Sequence, residues 1–194
     1  MTTAPATTGQ ARLAAFASAL DDCHERAVPG GAVASRTGWT VASAERLADG
    51  SPVPGAAGLL TARRNAATAD ARALDVFCAA LLRLHWQTLR DALDTAVGRL
   101  DERESEGTSL LGRQLVRGAV ADVALALSGT RDLLDLPAQT PERRHRAHRD
   151  LVAAGRTALR LHGAHGFTAD GAGTLLHMTE LLGNTYLHAE AAHD

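Results

Sequence analysis

The stretch that decides the fold runs from Thr68 to Arg103, TADARALDVFCAALLRLHWQTLRDALDTAVGRLDER. Apolar residues recur at Leu74, Phe77, Leu81, Leu84, Leu93, Val97 and Leu100, and no proline interrupts them. A 3-to-4 spacing places such residues on one side of a helix, so it predicts a long helix buried along one face. Gly107-Thr108-Ser109 then read as a break and a cap. A second helix is expected to Leu136, carrying Leu111, Leu115, Val120, Val123, Leu127 and Leu134. Thr140-Pro141-Glu142 is a start signal, with Thr as N-cap and Pro at the first helical position. A third helix carries Leu151, Val152, Leu159 and Leu161 to a stop at Gly163 to Gly166. A last helix begins near Asp170 to Thr174 and continues through Leu175, Leu176, Leu181, Leu182 and Tyr186 to the C-terminus. Four helices with short connections imply an all-α, antiparallel four-helix bundle over residues 68–194.

Upstream the pattern is different. Residues 1–9 read as a frayed start, and Gln10 to Arg26 as a short amphipathic helix with Leu13, Phe16, Ala17 and Leu20 at helical intervals. Residues 27–67 are punctuated by Gly, Pro and Ser, with one strand-like run from Thr37 to Ser43 around Trp39 and Val41. The expectation for residues 1–67 is therefore a helix plus an irregular arm, the remnant of a lost element.

Composition narrows the function classes. The 194 residues suit one ordinary domain, and 45% hydrophobic residues with only 3% aromatics imply an aliphatic core. A net charge of -2 supplies no global field for nucleic acid or an anionic membrane. All 20 basic residues are Arg, which excludes Schiff-base chemistry, a P-loop lysine and a lysine general base from this chain. Cys23 and Cys78 make neither a disulfide framework nor a thiolate metal site, and Cys78 reads as a buried thiol. No run approaches a membrane span, and the first twenty residues lack a basic region followed by a continuous apolar one. A cytoplasmic protein with no nucleic-acid or membrane partner is expected.

The connections carry more chemistry than the helices. Arg103-Glu-Ser-Glu-Gly107 is followed by Leu110, Gln114 and Val120-Ala121-Asp122. The third helix ends Ala158-Leu-Arg-Leu-His162-Gly163-Ala-His-Gly166-Phe167-Thr168. These segments resemble the R-x-x-F-G, Q, L-A-D and A-L-Q-x-H-G-G-x-G-F/Y-T motifs of the acyl-CoA dehydrogenase family, in matching order between matching helices. The resemblance covers residues 68 to 190, the family's C-terminal bundle. It implies FAD shared between subunits, with these motifs serving the ADP half from a neighbouring protomer. Position by position, the implied cofactor-binding residues are Arg103, Gln114, Gly163 and Gly166. Arginine suits pyrophosphate as a bidentate, charge-assisted partner, and glycine admits close backbone approach. Arg103 reads equally as a solvated charge at a helix end.

Departures accompany the match. Glu106 stands where the family has Phe, Arg160 where it has Gln, and Ala164 where it has Gly. Its later Arg-Asp pair falls on Met178 and Thr179, and its common catalytic glutamate falls on Leu187. The catalytic residue is therefore unassigned, with Glu180 and Glu190 nearby in sequence. The resemblance implies an FAD-linked oxidoreductase of acyl thioesters or related metabolites, or the flavin-binding partner subunit of one. It would work as a homo-oligomer or as a heteromer with a related flavoprotein subunit. The alternative is a flavin-free bundle, either a binding or assembly subunit or a cofactor-independent tailoring enzyme with a cavity between helices.

Nine histidines invite a metal reading. Glu142-x-x-His145 and Glu190-x-x-His193 have di-iron-like spacing, but the first opens the charged run Arg143 to Arg149 and the second lies at the terminus, so no metal is expected. The charged run reads as a local basic patch suited to an inter-subunit contact. His162 and His165 read as capping or surface residues. His85, within the apolar face of the long helix, reads as a core histidine unless a cavity adjoins it.

Overall fold

An apolar period needs satisfied ends to become a stable helix, and the chain supplies them for its central element. In the computed structural model, which describes residues 8–56, 58–64, 70–136, 139–168 and 171–188, that element is α2, Ala71–Asp101. At its start the Asp70 carboxylate accepts from the Arg72 N–H at 2.9 Å. At its end the Glu102 N–H donates to Gly98 O at 3.1 Å. The buried face is wider than a single stripe, because α2 has neighbours on several sides; it includes Phe77, Leu81, Leu82, His85, Leu89 and Ala96.

Around α2 stand α1 (Thr8–Ala27), α3 (Gln114–Leu134), α4 (Pro141–His162) and α5 (Gly173–Tyr186). Specific bonds set their directions. Arg144, early in α4, binds Asp75, early in α2, through its carboxylate at 2.6 Å and its carbonyl at 3.0 Å. His162, at the end of α4, donates from Nε2 to Ala92 O, far along α2, at 2.8 Å. These two helices therefore run the same way. Helix α3 runs against α2, since Arg83 donates to Leu134 O and Trp86 Nε1 to Leu127 O, each at 2.8 Å. Helix α5 runs against α4, since His148 meets Asn184 and Arg156 meets Glu180. The class is all-α, as the periodicity implies. Thr140 caps α4 with Pro141 at its first position, as the sequence indicates. Helix α5 ends at Tyr186 rather than continuing to the C-terminus, and residues 189–194 lie outside the described residues.

The stretch expected to be an irregular arm is instead ordered by pairing. Strands β1 (Trp39–Ser43), β2 (Ser51–Pro52) and β3 (Leu59–Arg63) form an antiparallel sheet in the order β1-β3-β2. Val41 stands opposite Thr61, and Pro52 opposite Leu60. Proline lacks the amide N–H of a ladder and is tolerated here because β2 is an edge strand. Val41, Val53 and Leu59 join the same buried cluster as Phe77, Leu81 and Leu182, so one core runs through sheet and helices.

The break after α2 is also more regular than expected. Glu104–Ser105 (β4) and Thr108–Ser109 (β5) pair as a two-residue hairpin around Glu106 and Gly107. Both turn residues have positive φ, 56° and 75°. This is the left-handed backbone that such tight turns use. Ser109 then caps a single 3-10 turn, Leu110–Gly112, rather than an α-helix. Leu115, expected in the core, is 90% exposed. The buried stripe of α3 is Val123, Leu127, Thr130 and Leu134, a helical register that Leu115 does not share.

Sheet and helices are joined by a closed ring of four buried hydrogen bonds. The Val41 N–H donates to Tyr186 Oη at 2.8 Å, and the Tyr186 hydroxyl donates to Val33 O at 3.3 Å. The Val33 N–H donates to His24 Nδ1 at 3.0 Å, and His24 Nε2 donates to Val41 O at 2.9 Å. Phe77 packs against both side chains of this ring, its centroid 4.4 Å from that of His24 and 4.6 Å from that of Tyr186. Tyr186→Phe keeps the shape and leaves the Val41 N–H and Val33 O unpaired. It should cost about 1–3 kcal/mol, read as a lower urea midpoint with an unchanged slope. No change in midpoint would show that the ring does not hold the sheet.

Candidate functional site

The four residues implied as cofactor ligands fall in two places along α2. Arg103 and Gln114 lie past its end at Asp101, whereas α4 stops level with Ala92, roughly 14 Å short of that end, with Gly163 and Gly166 just beyond it. Arg103 follows the end of α2. It is exposed, its carbonyl accepts from the Leu110 N–H at 2.7 Å, and its guanidinium has no ion pair among the described residues. Gln114 is the exposed first residue of α3. That helix start has no side-chain cap and no acidic residue in its first turn, so its N–H groups carry unneutralised partial positive charge. Glu106 is not left as a free negative charge, since Arg113 holds its carboxylate at 2.7 Å.

Gly163 and Gly166 have different reasons for being glycine. Gly163 closes α4 with φ 58°, and a Cβ there would meet open space, so its backbone is accessible. Gly166 is buried, and a Cβ would stand 2.9 Å from the His162 Cβ. Its carbonyl also lies where Cβ atoms on Gly171 and Gly173 would sit. The connection between α4 and α5 folds back on itself, and that close approach alone requires these small residues. No hydrogen bond among the described residues joins the Arg103–Gln114 turn to Gly163 or Gly166, and none of the four lines the 480, 450 or 440 Å³ clefts.

A second arrangement lies inside the helices. A cleft of about 480 Å³ opens between α4 and α5, walled by Val152, Gly155, Leu159 and Leu176. His85 from α2 also lines it and is only 2% exposed, so it forms the floor. Behind it, His85 Nδ1 is 3.3 Å from His148 Nδ1, and His148 Nε2 is 3.3 Å from Asn184 Oδ1. An amide oxygen can only accept, so His148 donates from Nε2. A neutral His148 then has only Nδ1 left as an acceptor, and His85 supplies its own Nδ1–H. The remaining nitrogen of His85, Nε2, is a bare lone pair. Gly183 makes room for this arrangement, because a Cβ there would collide with the His148 ring.

Both rings are held neutral. Burial, followed by repulsion from His148, pushes His85 down to about 3. Burial is also the largest influence on His148; the Asn184 bond opposes it, and nearby His188 and His145 reinforce it. At the rim of the cleft Arg156 and Glu180 neutralise each other at 2.8 Å.

His148 was hidden in what reads as a basic patch. Arg143, Arg146 and Arg149 are exposed, but Arg144 is 5% exposed and tied to Asp75. Arg144, His148, Leu151 and Gly155 stand at i, i+4, i+7 and i+11, the buried stripe of α4, and that period was the available signal. His162 is a buried strut between helices rather than a cap or surface residue, and its Nδ1 has no partner among the described residues. Cys78 is a buried thiol, pushed up to about 11 by desolvation. Leu187, where the resemblance would set a glutamate, is buried, while Glu180 lies on the cleft. Glu190 and His193 lie outside the described residues, among which no group of three or more His, Cys, Asp or Glu is arranged to hold a metal. No helix there is long and apolar enough to cross a membrane. No protein-family model matches the chain, and no curated protein matches it.

Holding His85 neutral has a consequence for stability. The unfolded chain takes up a proton near pH 6.5, whereas the folded chain resists it to about pH 3. The associated stability is complete above the unfolded value and falls as pH drops through that window. Between pH 6.5 and 4.5 the loss due to His85 should be on the order of 2 kcal/mol. Urea titrations of wild type and His85→Leu across this range test it. The variant should show the shallower decline; parallel curves would contradict the assignment.

Proposed function

We propose that this chain is a shortened, divergent acyl-CoA dehydrogenase-like subunit that helps to hold the ADP half of an FAD shared with a second chain. The observation that carries this reading is the Arg103–Gln114 turn, whose guanidinium has no ion pair among the described residues and whose helix start is uncapped. Three residues suit the group. Arg103 can take the pyrophosphate in a bidentate contact, Gln114 can hydrogen-bond it, and Gly163 leaves its backbone open to approach. Gly166 is the weaker member, since internal packing already accounts for it.

FAD would supply the hydride acceptor for an acyl thioester or related metabolite. This chain binds and orients, because the buried Leu187 brings no carboxylate to the position of the family's base. A second copy would carry the same Leu187, so the base and the remaining wall of the flavin site then come from a related flavoprotein subunit. Leu115 and Leu125 on α3, 90% and 70% exposed, support such an assembly. A cytoplasmic setting agrees with two free, buried cysteines.

A flavin-free protein is the second reading, favoured by the His85 cleft, which could serve binding or cofactor-independent tailoring chemistry. Absorption spectra separate the two. Wild-type protein equilibrated with FAD and freed of excess by gel filtration should keep visible flavin bands, and Arg103→Ala should bind FAD about tenfold or more weakly. An Arg103→Ala protein with unchanged affinity overturns the site assignment, and a colourless wild type leaves only a flavin site completed by a related subunit or the flavin-free reading. Sedimentation should find an oligomer at micromolar concentration; a stable monomer in the presence of FAD would count against a shared site.

A further inference from the structure

The exposed leucines of α3 name no partner, and among the described residues the imidazoles of His145, His148 and His188 do not converge as a set of three metal ligands. The cleft above His85 is different, because a polar side chain that is almost wholly buried lines it, with its Nδ1 already engaged by His148 and Nε2 left over.

Its walls and floor specify a ligand. Val152, Leu159 and Leu176 are apolar, and Gly155 hollows the wall by withholding a side chain. Besides His85 and the Arg156–Glu180 pair, the polar members of the lining are Thr174 and His177 on α5. The Arg156–Glu180 pair at the rim is already neutral and asks for no counter-charge. The floor presents the bare Nε2 of His85, an acceptor, so an oxyanion there would set lone pair against lone pair. A cation would bring charge into a desolvated site that already excludes it from two imidazoles. What remains is a neutral donor. We infer that the cleft between α4 and α5 is a binding site for a small, mainly apolar molecule carrying one hydroxyl, an alcohol or phenol, whose O–H donates to Nε2 of His85.

A volume near 480 Å³ lies in the range of small-molecule sites. Phe167, 77% exposed and lining the cleft, offers a face for an aromatic ring. The relay behind the floor fixes the tautomer rather than removing the proton. Taking the hydroxyl proton onto Nε2 would send the Nδ1 proton of His85 to His148. There burial opposes a cation and outweighs the support of Asn184 and Glu180, with His188 and His145 opposing it further. The hydroxyl is therefore bound and not ionised. This inference stands independently of flavin.

Calorimetric titration of the full chain with 4-propylphenol and with propylbenzene tests it. Wild type should bind the phenol about tenfold more tightly, because the hydrocarbon leaves the buried nitrogen unpaired. His85→Leu should erase that preference. Gly155→Leu should abolish binding of both compounds by filling the cleft, since a Cβ at that position meets only the tip of Leu176 at 3.6 Å. Circular dichroism checks that each variant is folded. Equal affinities on wild type, no binding of the phenol at millimolar concentration, or a preference that survives His85→Leu would each overturn the site. If His85→Leu does not fold, Gly155→Leu decides: unchanged phenol affinity places the ligand elsewhere and overturns it.

Discussion

Beside Phe77, the backbones of Val33 and Val41 exchange all their local hydrogen-bonding capacity with His24 and Tyr186. Most of the remaining architecture depends on this ring. A small sheet of three short strands has too little apolar area to be stable by itself. Here it is bonded to the first and last helices at once, with the ring of Phe77 from α2 packed against His24 and Tyr186. The bonds connect residues up to 153 positions apart, so they form only when the whole chain has closed. Loss of the Tyr186 hydroxyl would strand two backbone groups rather than remove one contact, and unpaired buried groups cost more than a made bond contributes.

The helical part is held by a different economy of polar groups. Its interior accepts imidazoles as neutral linkers: His24 between backbone segments, His162 between α4 and α2, and His85 with His148 between α2 and α4. Burial is the largest influence lowering each of them. The single buried cation among the described residues, Arg144, is treated in the opposite way, with a carboxylate and a carbonyl of Asp75 supplied to it. The pattern follows from the cost of desolvation: a neutral ring needs only one or two directed bonds, whereas an ion needs a counter-ion.

Glycines in the connection between α4 and α5 illustrate why a motif alone underdetermines a site. Gly163 leaves open space beside an accessible backbone, as a ligand-facing glycine would. Gly166, three residues on, is small because the chain packs against itself. Sequence resemblance treats the two alike. The Arg103–Gln114 turn is more informative, since its exposed guanidinium and uncapped helix start satisfy no internal need.

By itself the sequence determined the helices, because their apolar periods and caps are local: Asp70, Thr140 with Pro141, and Gly163 act within a turn or two of the residues they terminate. It marked Thr37 to Ser43 as strand-like and Cys78 as buried for the same reason. It could not show that residues 39–63 close into a sheet, since β1 and β3 meet only through a long-range register. Nor could it separate Leu115 from the core leucines of α3, or Arg144 and His148 from the exposed arginines beside them. Those distinctions depend on which helix stands opposite. The pairing of His85 with His148, 63 residues apart, and the cleft above it exist only in the assembled fold, because a cavity is a property of several elements that stop short of one another.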